Sequence, residues 1–248
     1  MPRLIAPLLV AVLVLSGRTA HAAVFTVAPT RIVLTASTAS SLLALKNESP
    51  EPLRLQIKAL AWQQTATGDM ELTDTVDLIV FPTLLTLQPG QERKVRVAHA
   101  TTVAGIEKTY RVFVEELPPA SRDAQGSSVR ILTRMGIPVF LQPVAPAPKA
   151  TLGDVGLAGG RLTFRLQNTG NAHFIPDRVR VRAFTATGDT LNDQTVASWY
   201  VLAGGTRQFA LAFPPDICGR IRSALVEVQI AETLLETPLT TPGGACAP

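Results

Sequence analysis

Histidine and cysteine are scarce in this sequence, which has three His and two Cys among 248 residues. His99 and His173 are the histidines beyond the first residues, too few for a metal cluster or for a triad beside a Ser or Cys nucleophile. No Gly-x-Ser-x-Gly motif and no glycine-rich phosphate loop occurs. Glu115 and Glu116 are adjacent, so on a strand they would point to opposite faces and could not act as an acid–base pair. We therefore expect a protein that is not an enzyme and that needs no metal and no cofactor.

Long apolar runs are also absent after the first 22 residues. The chain starts with a short basic segment, continues with an apolar run from Leu4 to Leu15, and reaches small residues at Ala20 and Ala22. The run is shorter than the roughly 20 residues that a membrane span needs. We expect residues 1–22 to be a secretory signal peptide that is cleaved after Ala22, the alternative being an uncleaved anchor helix.

The two cysteines, Cys218 and Cys246, are not spaced as a Cys-x-x-Cys redox motif. An even number of cysteines in an exported protein favours one structural disulfide, which would tie the C-terminus to the second half of the chain. A metal site would need further ligands, and none is near them in the sequence.

The net charge is small for a chain of this length. The formal net charge is +4, and no basic cluster exceeds short pairs such as Arg93 and Lys94. The sequence therefore gives no indication of nucleic-acid binding.

Signals for long helices are missing, whereas Val, Leu, Thr and Arg recur between turn residues that come about every ten residues. In the first half this pattern predicts seven strands, which is typical of an immunoglobulin-like β-sandwich. The expected strands are Val24–Leu34, Ser41–Asn47, Leu53–Gln63, Leu78–Leu87, Arg93–His99, Tyr110–Glu116 and Val129–Leu141.

A proline-rich connector from Pro143 to Pro148 separates the first half from a second β-rich half of about 100 residues, which is enough for one sandwich. We therefore expect an all-β protein with two immunoglobulin-like domains, 23–143 and 151–248, joined at an angle by a short Pro-rich hinge at 144–150. The expected strands of the second half are Arg161–Asn168, Arg178–Thr185, Ala197–Leu202, Gln208–Phe213 and Ser223–Ile230.

The segment from Tyr110 to Pro143 carries the functional interpretation. Two β-type runs flank a polar loop that is too long for a tight hairpin. The second run contains Pro138, which cannot donate to a ladder, so we expect an edge strand. A long apolar edge strand is an aggregation hazard, and a protein that keeps one can use it to pair with another chain.

Four segments add a family resemblance. They are PTRIVL (Pro29 to Leu34), FPTLLTLQPGQERKVRV (Phe81 to Val97), YRVFVEELPP (Tyr110 to Pro119) and RILTRMGIPVFLQP (Arg130 to Pro143). In this order they resemble the periplasmic chaperones of the chaperone–usher pathway of pilus assembly. The Gly-x-Pro-x-Phe ending of the last segment suggests a divergent branch, with the archaic chaperones as a candidate. The second half is similar only in size and β character.

The resemblance implies a periplasmic chaperone that lends its edge strand to a pilus subunit, by donor-strand complementation, and delivers the subunit to an outer-membrane usher. Val129, Ile131, Thr133 and Met135 match the donor positions that fill the groove of the subunit. The alternative is that this face packs the chaperone's own core. We also expect some self-association when no subunit is bound.

The family binds the subunit's C-terminal carboxylate with two basic residues. Arg31 matches the first of them by its motif position. The second, usually a lysine on the donor strand, falls on Gly136 or Pro138, neither of which is charged. The resemblance therefore leaves two possibilities: Arg134 substitutes for the lysine, or Arg31 acts alone.

The hinge also departs from the family pattern. Glu107 matches an acidic residue of the family, but Gln142 stands where its arginine partner would be, so the usual interdomain ion pair is not expected. Two other classes remain open at this point: a secreted structural or adhesive β protein such as a pilus component, and an exported hydrolase with an unrecognised site.

Overall fold

The structure, a computed structural model, describes residues 25–118 and 131–241. Regular structure in these residues is β apart from one short helix, α1 (Pro215–Cys218). The strands form four sheets, two in each half of the chain, so the all-β class with two sandwich domains is confirmed. Within the described residues, no helix is long and apolar enough to cross a membrane.

The first domain contains ten strands in the described residues. They are β1 (Phe25–Ala28), β2 (Ile32–Leu34), β3 (Ser40–Asn47), β4 (Leu53–Gln64), β5 (Met70–Asp74), β6 (Leu78–Phe81), β7 (Leu84–Leu87), β8 (Glu92–His99), β9 (Lys108–Glu116) and β10 (Arg134–Leu141). One sheet has the order β1-β3-β8-β6, and the other has the order β2-β10-β9-β4-β5 with β7 also paired to β4.

The core of the first domain lies between these two sheets. The sequence of β8 illustrates how apolar side chains reach this core. Val95 and Val97 are fully buried, whereas Lys94 and Arg96 are exposed, as expected when successive side chains point to opposite faces. The same period places alternate aliphatic residues of β3, β4, β9 and β10 in one cluster. We call the opposite face of the β10-β9-β4 sheet its outer face.

The second domain contains seven strands in the described residues. They are β11 (Ala150–Ala158), β12 (Arg161–Asn168), β13 (Arg178–Phe184), β14 (Thr190–Val196), β15 (Thr206–Ala212), β16 (Ser223–Ile230) and β17 (Thr233–Thr240). The sheets have the orders β11-β12-β15 and β14-β13-β16-β17, and they enclose a second core.

The two domains share local structure that links their sequences. Asn47 ends β3 and Asn168 ends β12; both are fully buried. In each, Nδ2 donates to two backbone carbonyls at 2.8 and 3.0 Å, and Oδ1 accepts the N–H of the residue two positions later at 2.9 Å. The pentapeptide Thr-Ala-Thr-Gly-Asp also occurs in both domains, at 65–69 and 185–189, with the same turn hydrogen bonds. The two domains therefore share an architecture, and their sequence similarity is limited to these short segments.

Several expected strands differ from the observed ones, and proline explains two differences. The expected strand Val24–Leu34 is split into β1 and β2, which lie in different sheets on either side of Pro29. The expected strand Leu78–Leu87 is likewise split, at Pro82, into β6 and β7. In both cases proline removes the donor that a continuous ladder would need.

In the second domain, the expected strand Ala197–Leu202 is wrong. This segment makes only an isolated bridge between Phe174 and Val201, and the preceding polar segment forms β14 instead. The sequence reading also missed β5, β11 and β17, because polar or glycine-containing strands at sheet edges lack the alternation on which the prediction depends.

Cys218 is buried in the core of the second domain, at the end of α1. Cys246 lies outside the described residues, so the disulfide between them stays a prediction. The expected signal peptide, residues 1–22, also lies outside the described residues.

Asp77 fastens the start of β9 to the loop before β6. Its Oδ2 accepts the Tyr110 hydroxyl at 2.7 Å and Lys108 Nζ at 3.1 Å. The Tyr110 hydrogen bond, and then Lys108, hold the pKa of Asp77 below its ordinary value. A depressed pKa means that this stabilisation is complete above the unfolded-state pKa, near 4, and is lost as the pH falls through the folded-state pKa.

We therefore expect Asp77→Asn to lower the free energy of unfolding by about 1–2 kcal/mol at pH 7. Urea denaturation from pH 7 down to pH 2.5 checks this. The difference from the unsubstituted protein should shrink in the acidic part of this range, and a difference that stays constant down to pH 2.5 would contradict the assignment.

Candidate functional site

The two sides of β10 are paired differently. One side pairs antiparallel with β9 along the whole strand, from Arg134 opposite Glu115 to Leu141 opposite Lys108. The other side pairs parallel with β2, and only from Val139 to Leu141. Among the described residues, no strand pairs with residues 134–138 on that second side. We call this the open side of β10.

Hydrogen bonds show which residues face the open side. Glu116 N donates to Thr133 O, so Thr133 faces β9, whereas Gln142 N donates to Leu34 O on the β2 side, both at 2.9 Å. Backbone groups alternate in direction along a strand. Arg134, Gly136 and Pro138 therefore direct their backbone groups toward the open side. Of these three, Pro138 has no N–H to offer.

The expected groove-filling residues do not share one environment. Met135 is half-buried and packs against the core of the first domain, on the same face as buried Ile137 and Val139. Ile131 is 67% exposed, and Thr133 is half-buried just before β10 begins. Val129 lies outside the described residues. Met135 therefore packs against the core of its own domain, and Ile131 points into solvent.

Arg134 lies over β9 on the outer face. Its Nε is 2.7 Å from Glu115 Oε1, and its guanidinium is 3.9 Å from the centroid of the Phe113 ring. Phe113 in turn lies against Gly136, where an added Cβ would come within 2.9 Å of Phe113 Cε1. Glycine is therefore required at 136 for this packing. Arg134 is already paired, and it is not the unpaired cation of this surface.

Arg111 is the buried cation of the outer face. It is 8% exposed, and Nη1 donates to Gly136 O at 3.2 Å. Its Nε and Nη2 are buried and have no partner among the described residues. The guanidinium lies 4.1 Å from the Trp62 ring centroid and 5.1 Å from that of Trp199. Burial lowers the pKa of Arg111, but a guanidinium stays charged in proteins.

Sequence reasoning missed Arg111. The sequence does contain a signal for it: Arg111 is a charged residue inside the apolar run that begins at Tyr110. In the structure both faces of this part of β9 are covered, so Arg111 is buried with its apolar neighbours. A buried charge costs free energy unless it is paired. Arg111 is therefore a buried charge with two donors that have no hydrogen-bond partner among the described residues.

Arg31 and Arg111 lie on either side of Pro138. Ile32 is opposite Val139 in the β2–β10 pair, so Arg31, the residue before Ile32, is at the level of Pro138. Across the other pair, Pro138 is opposite Arg111. Two strand spacings separate the arginine backbones, about 10 Å. Arg31 is exposed.

Arg134 is not at this level. It lies four residues earlier on β10 than Pro138, a distance of about 13 Å along a strand. The structure therefore brings Arg31 close to Arg111 and leaves Arg134 at the far end of the open side.

An aromatic cluster joins the two domains beside Arg111. Trp62 and Phe140 come from the first domain; Trp199, Tyr200 and Leu202 come from the second. The Trp62 ring centroid is 5.3 Å from those of Trp199 and Tyr200. The guanidinium of Arg111 thus lies in a cleft that both domains line.

Polar contacts also cross between the domains. Glu107 Oε1 is 2.7 Å from His173 Nδ1, and the His173 ring stacks on Phe140 with centroids 3.7 Å apart. Gln64 donates to Tyr200 O at 2.7 Å and accepts Leu202 N at 2.9 Å. Glu107 therefore does have an interdomain partner, a histidine from the second domain in place of the arginine that is absent at Gln142.

The fold and site together describe a two-domain, all-β protein whose edge strand is half open beside a cationic interdomain cleft. Residues 24–147, half of the chain, match the model of the pili and flagellar-assembly chaperones, PapD N-terminal domain. The chain belongs to this family, as the resemblance of its motifs predicted, and it is a chaperone of pilus assembly.

Several solved structures have a similar fold. One is the CsuC–CsuE chaperone–tip adhesion subunit pre-assembly complex from archaic chaperone-usher Csu pili of Acinetobacter baumannii, with 19% identity, a TM-score of 0.58, and coverage of 86% of this chain and 97% of that chain. Another is the E. coli chaperone DraB, with 16% identity, a TM-score of 0.55, and coverage of 91% and 98%. A third is Salmonella enterica SafA pilin in complex with the SafB chaperone, with 14% identity, a TM-score of 0.56, and coverage of 87% and 96%. No curated protein matches the chain.

Proposed function

We propose that this protein is a periplasmic, non-catalytic chaperone that binds a pilus subunit along the open side of β10 and passes it to an outer-membrane usher. In this proposal Arg111, together with Arg31, holds the C-terminal carboxylate of the subunit. The orphaned N–H groups of buried Arg111, next to an unpaired strand edge, are the observation that carries it.

The open side supplies backbone hydrogen bonds. Arg134 and Gly136 present N–H groups that a partner strand can accept, which is the way β-augmentation gains affinity. Arg111 lies at the end of the open side, level with Pro138, where β2 takes over the pairing. A strand whose C-terminus reaches Arg111 therefore runs parallel to β10, as β2 already does on the same side.

A carboxylate suits the free donors of Arg111. Nε and Nη2 lie on one edge of a guanidinium and can hold both oxygens of a carboxylate in charge-assisted hydrogen bonds. In the cleft this pairing would compensate a buried charge that has no counter-ion among the described residues. Arg134, which Glu115 already pairs, is the weaker candidate for this role.

Side chains of the preceding segment would fill the groove of the subunit. Ile131, two-thirds exposed, is the best placed described residue for this, and Thr133 is a smaller plug. Val129 stays a proposed donor position outside the described residues. The complexes of CsuC with CsuE and of SafB with SafA are chaperone–subunit complexes on a similar fold.

Co-expression with candidate pilus subunits, followed by co-purification from the periplasm, tests the proposal. We expect a one-to-one complex with a subunit that is unstable alone. Ile131→Asp is expected to weaken capture by about tenfold or more, because it puts a charge into an apolar groove. Arg31→Ala is expected to have a smaller effect, because an exposed cation contributes less.

Val76→Asp is a matched control, because it puts the same charge on another exposed aliphatic position, in the loop before β6 and outside the segment proposed to bind the subunit. It should leave capture unchanged. If Ile131→Asp and Arg31→Ala both bind the subunit like the unsubstituted protein, donor-strand binding by this segment is wrong.

A further inference from the structure

Arg134 keeps an unused hydrogen-bonding edge on the outer face of the sheet, at the β10 residue where the open side begins. Glu115 holds its Nε at 2.7 Å, and the guanidinium rests on the Phe113 ring. Its two Nη groups have no hydrogen-bond partner in residues 25–118 and 131–241. Glu115 and Phe113 therefore fix the position of the guanidinium before any partner binds, while its outer edge stays available.

We propose that Arg134 selects an acidic side chain on the strand that binds to β10, four residues before the last residue of that strand. This inference rests on the proposed function, because it takes the strand's position from the carboxylate at Arg111. It assigns Arg134 to recognition of a side chain and leaves the terminal carboxylate to Arg111.

The position follows from the register. A strand that ends level with Pro138, parallel to β10, places its fourth residue before the end level with Arg134. Side chains repeat their direction every second residue, so this residue and the last one lie on the same face as Arg134 and Pro138. Neighbouring side chains on one face of paired strands lie about 5 Å apart, within reach of an arginine.

The chemistry favours a carboxylate. A guanidinium that is held at Nε still offers both Nη groups, and these match two carboxylate oxygens. Gly136, the next residue of β10 on this face, has no side chain, and the Phe113 ring that supports Arg134 packs over it. Because Arg134 is already held in place, little side-chain entropy is lost when the second carboxylate binds.

Synthetic peptides can test the position. The peptides would be about twelve residues long, with one alternating apolar sequence and a free C-terminal carboxylate. They would differ only in the fourth residue before the last, which is Glu, Gln or Lys. Fluorescence polarisation with the full chaperone measures their dissociation constants. We expect Glu to bind about threefold more tightly than Gln and about tenfold more tightly than Lys, which is the range of a partly exposed ion pair.

Arg134→Gln should abolish the preference for Glu over Lys, and Arg134→Glu should reverse it. Arg96→Glu is the matched control: it makes the same charge change on an exposed arginine of the other sheet and should keep the preference. Moving the Glu by one residue puts it on the other face and should also remove the preference. A variant that is merely destabilised would weaken all three peptides together, so the ratio is the informative readout.

The outcomes separate the two proposals. If free-acid peptides bind more tightly than C-terminally amidated ones but show no preference at this position, the inference on Arg134 is wrong and the proposed function stands. If no free-acid peptide binds, or if amidation makes no difference, the carboxylate site at Arg111 is wrong and this inference is overturned with it.

Discussion

Arg111→Met is expected to weaken binding of a pilus subunit by about a hundredfold while raising the stability of the free chaperone. Binding falls because the terminal carboxylate loses a buried, charge-assisted pair. Stability rises by about 1–2 kcal/mol, because a buried cation without a counter-ion is replaced by an apolar side chain of similar length. Isothermal titration with the purified subunit and urea denaturation of the free chaperone measure the two effects.

The opposite signs distinguish this prediction from general damage to the fold. A variant that merely unfolds would lose binding and stability together. Arg111→Lys is the control for charge: it keeps a cation but loses the fork that matches both carboxylate oxygens, so we expect intermediate binding. Unchanged binding by Arg111→Met would show that the carboxylate is held elsewhere, with Arg31 as the next candidate.

The sequence alone suggested Arg134 as the second cation, whereas the structure favours Arg111. Motif position led to Arg31 as one proposed carboxylate-binding residue, because a motif can be matched residue by residue. The choice of a second cation depended on which side chains lie at one level across three strands, and that is set by the register of β9, β10 and β2. Register follows from tertiary packing, which the local pattern does not contain.

The contact between the domains also depends on tertiary structure that the local sequence does not show. The family resemblance matched Glu107 to the acidic half of an interdomain ion pair and placed the uncharged Gln142 where the arginine partner would be. It could not identify His173, which is 66 residues away along the chain and reaches Glu107 only through the contact between domains. The ring nitrogens of His99, by contrast, lie near backbone carbonyls of its own domain, Nδ1 at 2.8 Å from Thr101 O and Nε2 at 3.3 Å from Thr35 O.

The fold class was predictable because it depends on local signals. Alternating apolar residues and frequent turns gave the central strands β3, β4, β8, β9, β12, β13 and β16 nearly residue by residue. Edge strands such as β14, with the sequence TLNDQTV, carry polar residues on both faces. Such segments become strands because a neighbouring strand pairs with them, so their own sequence does not predict the strand.

Trp62 is expected to be the largest single contributor to the joint that forms the cleft. It is 1% exposed and packs against Phe140 of its own domain and against Trp199 and Tyr200 of the other. We expect Trp62→Ala to lower the free energy of unfolding by about 3–5 kcal/mol, because it leaves a large cavity among aromatic side chains. Urea denaturation measures this loss.

The same substitution should loosen the angle between the domains. Arg111 would lose the ring beneath its guanidinium, and the joint would keep Phe140 against His173 and Tyr200 together with hydrogen bonds such as those of Glu107 and Gln64. Small-angle X-ray scattering should therefore show a larger radius of gyration for Trp62→Ala at a urea concentration where both proteins stay folded. Trp62→Phe, which keeps an aromatic ring, should lose only about 1–2 kcal/mol and keep the compact form. A Trp62→Ala protein with unchanged scattering would mean that the other contacts between the domains fix their angle without Trp62.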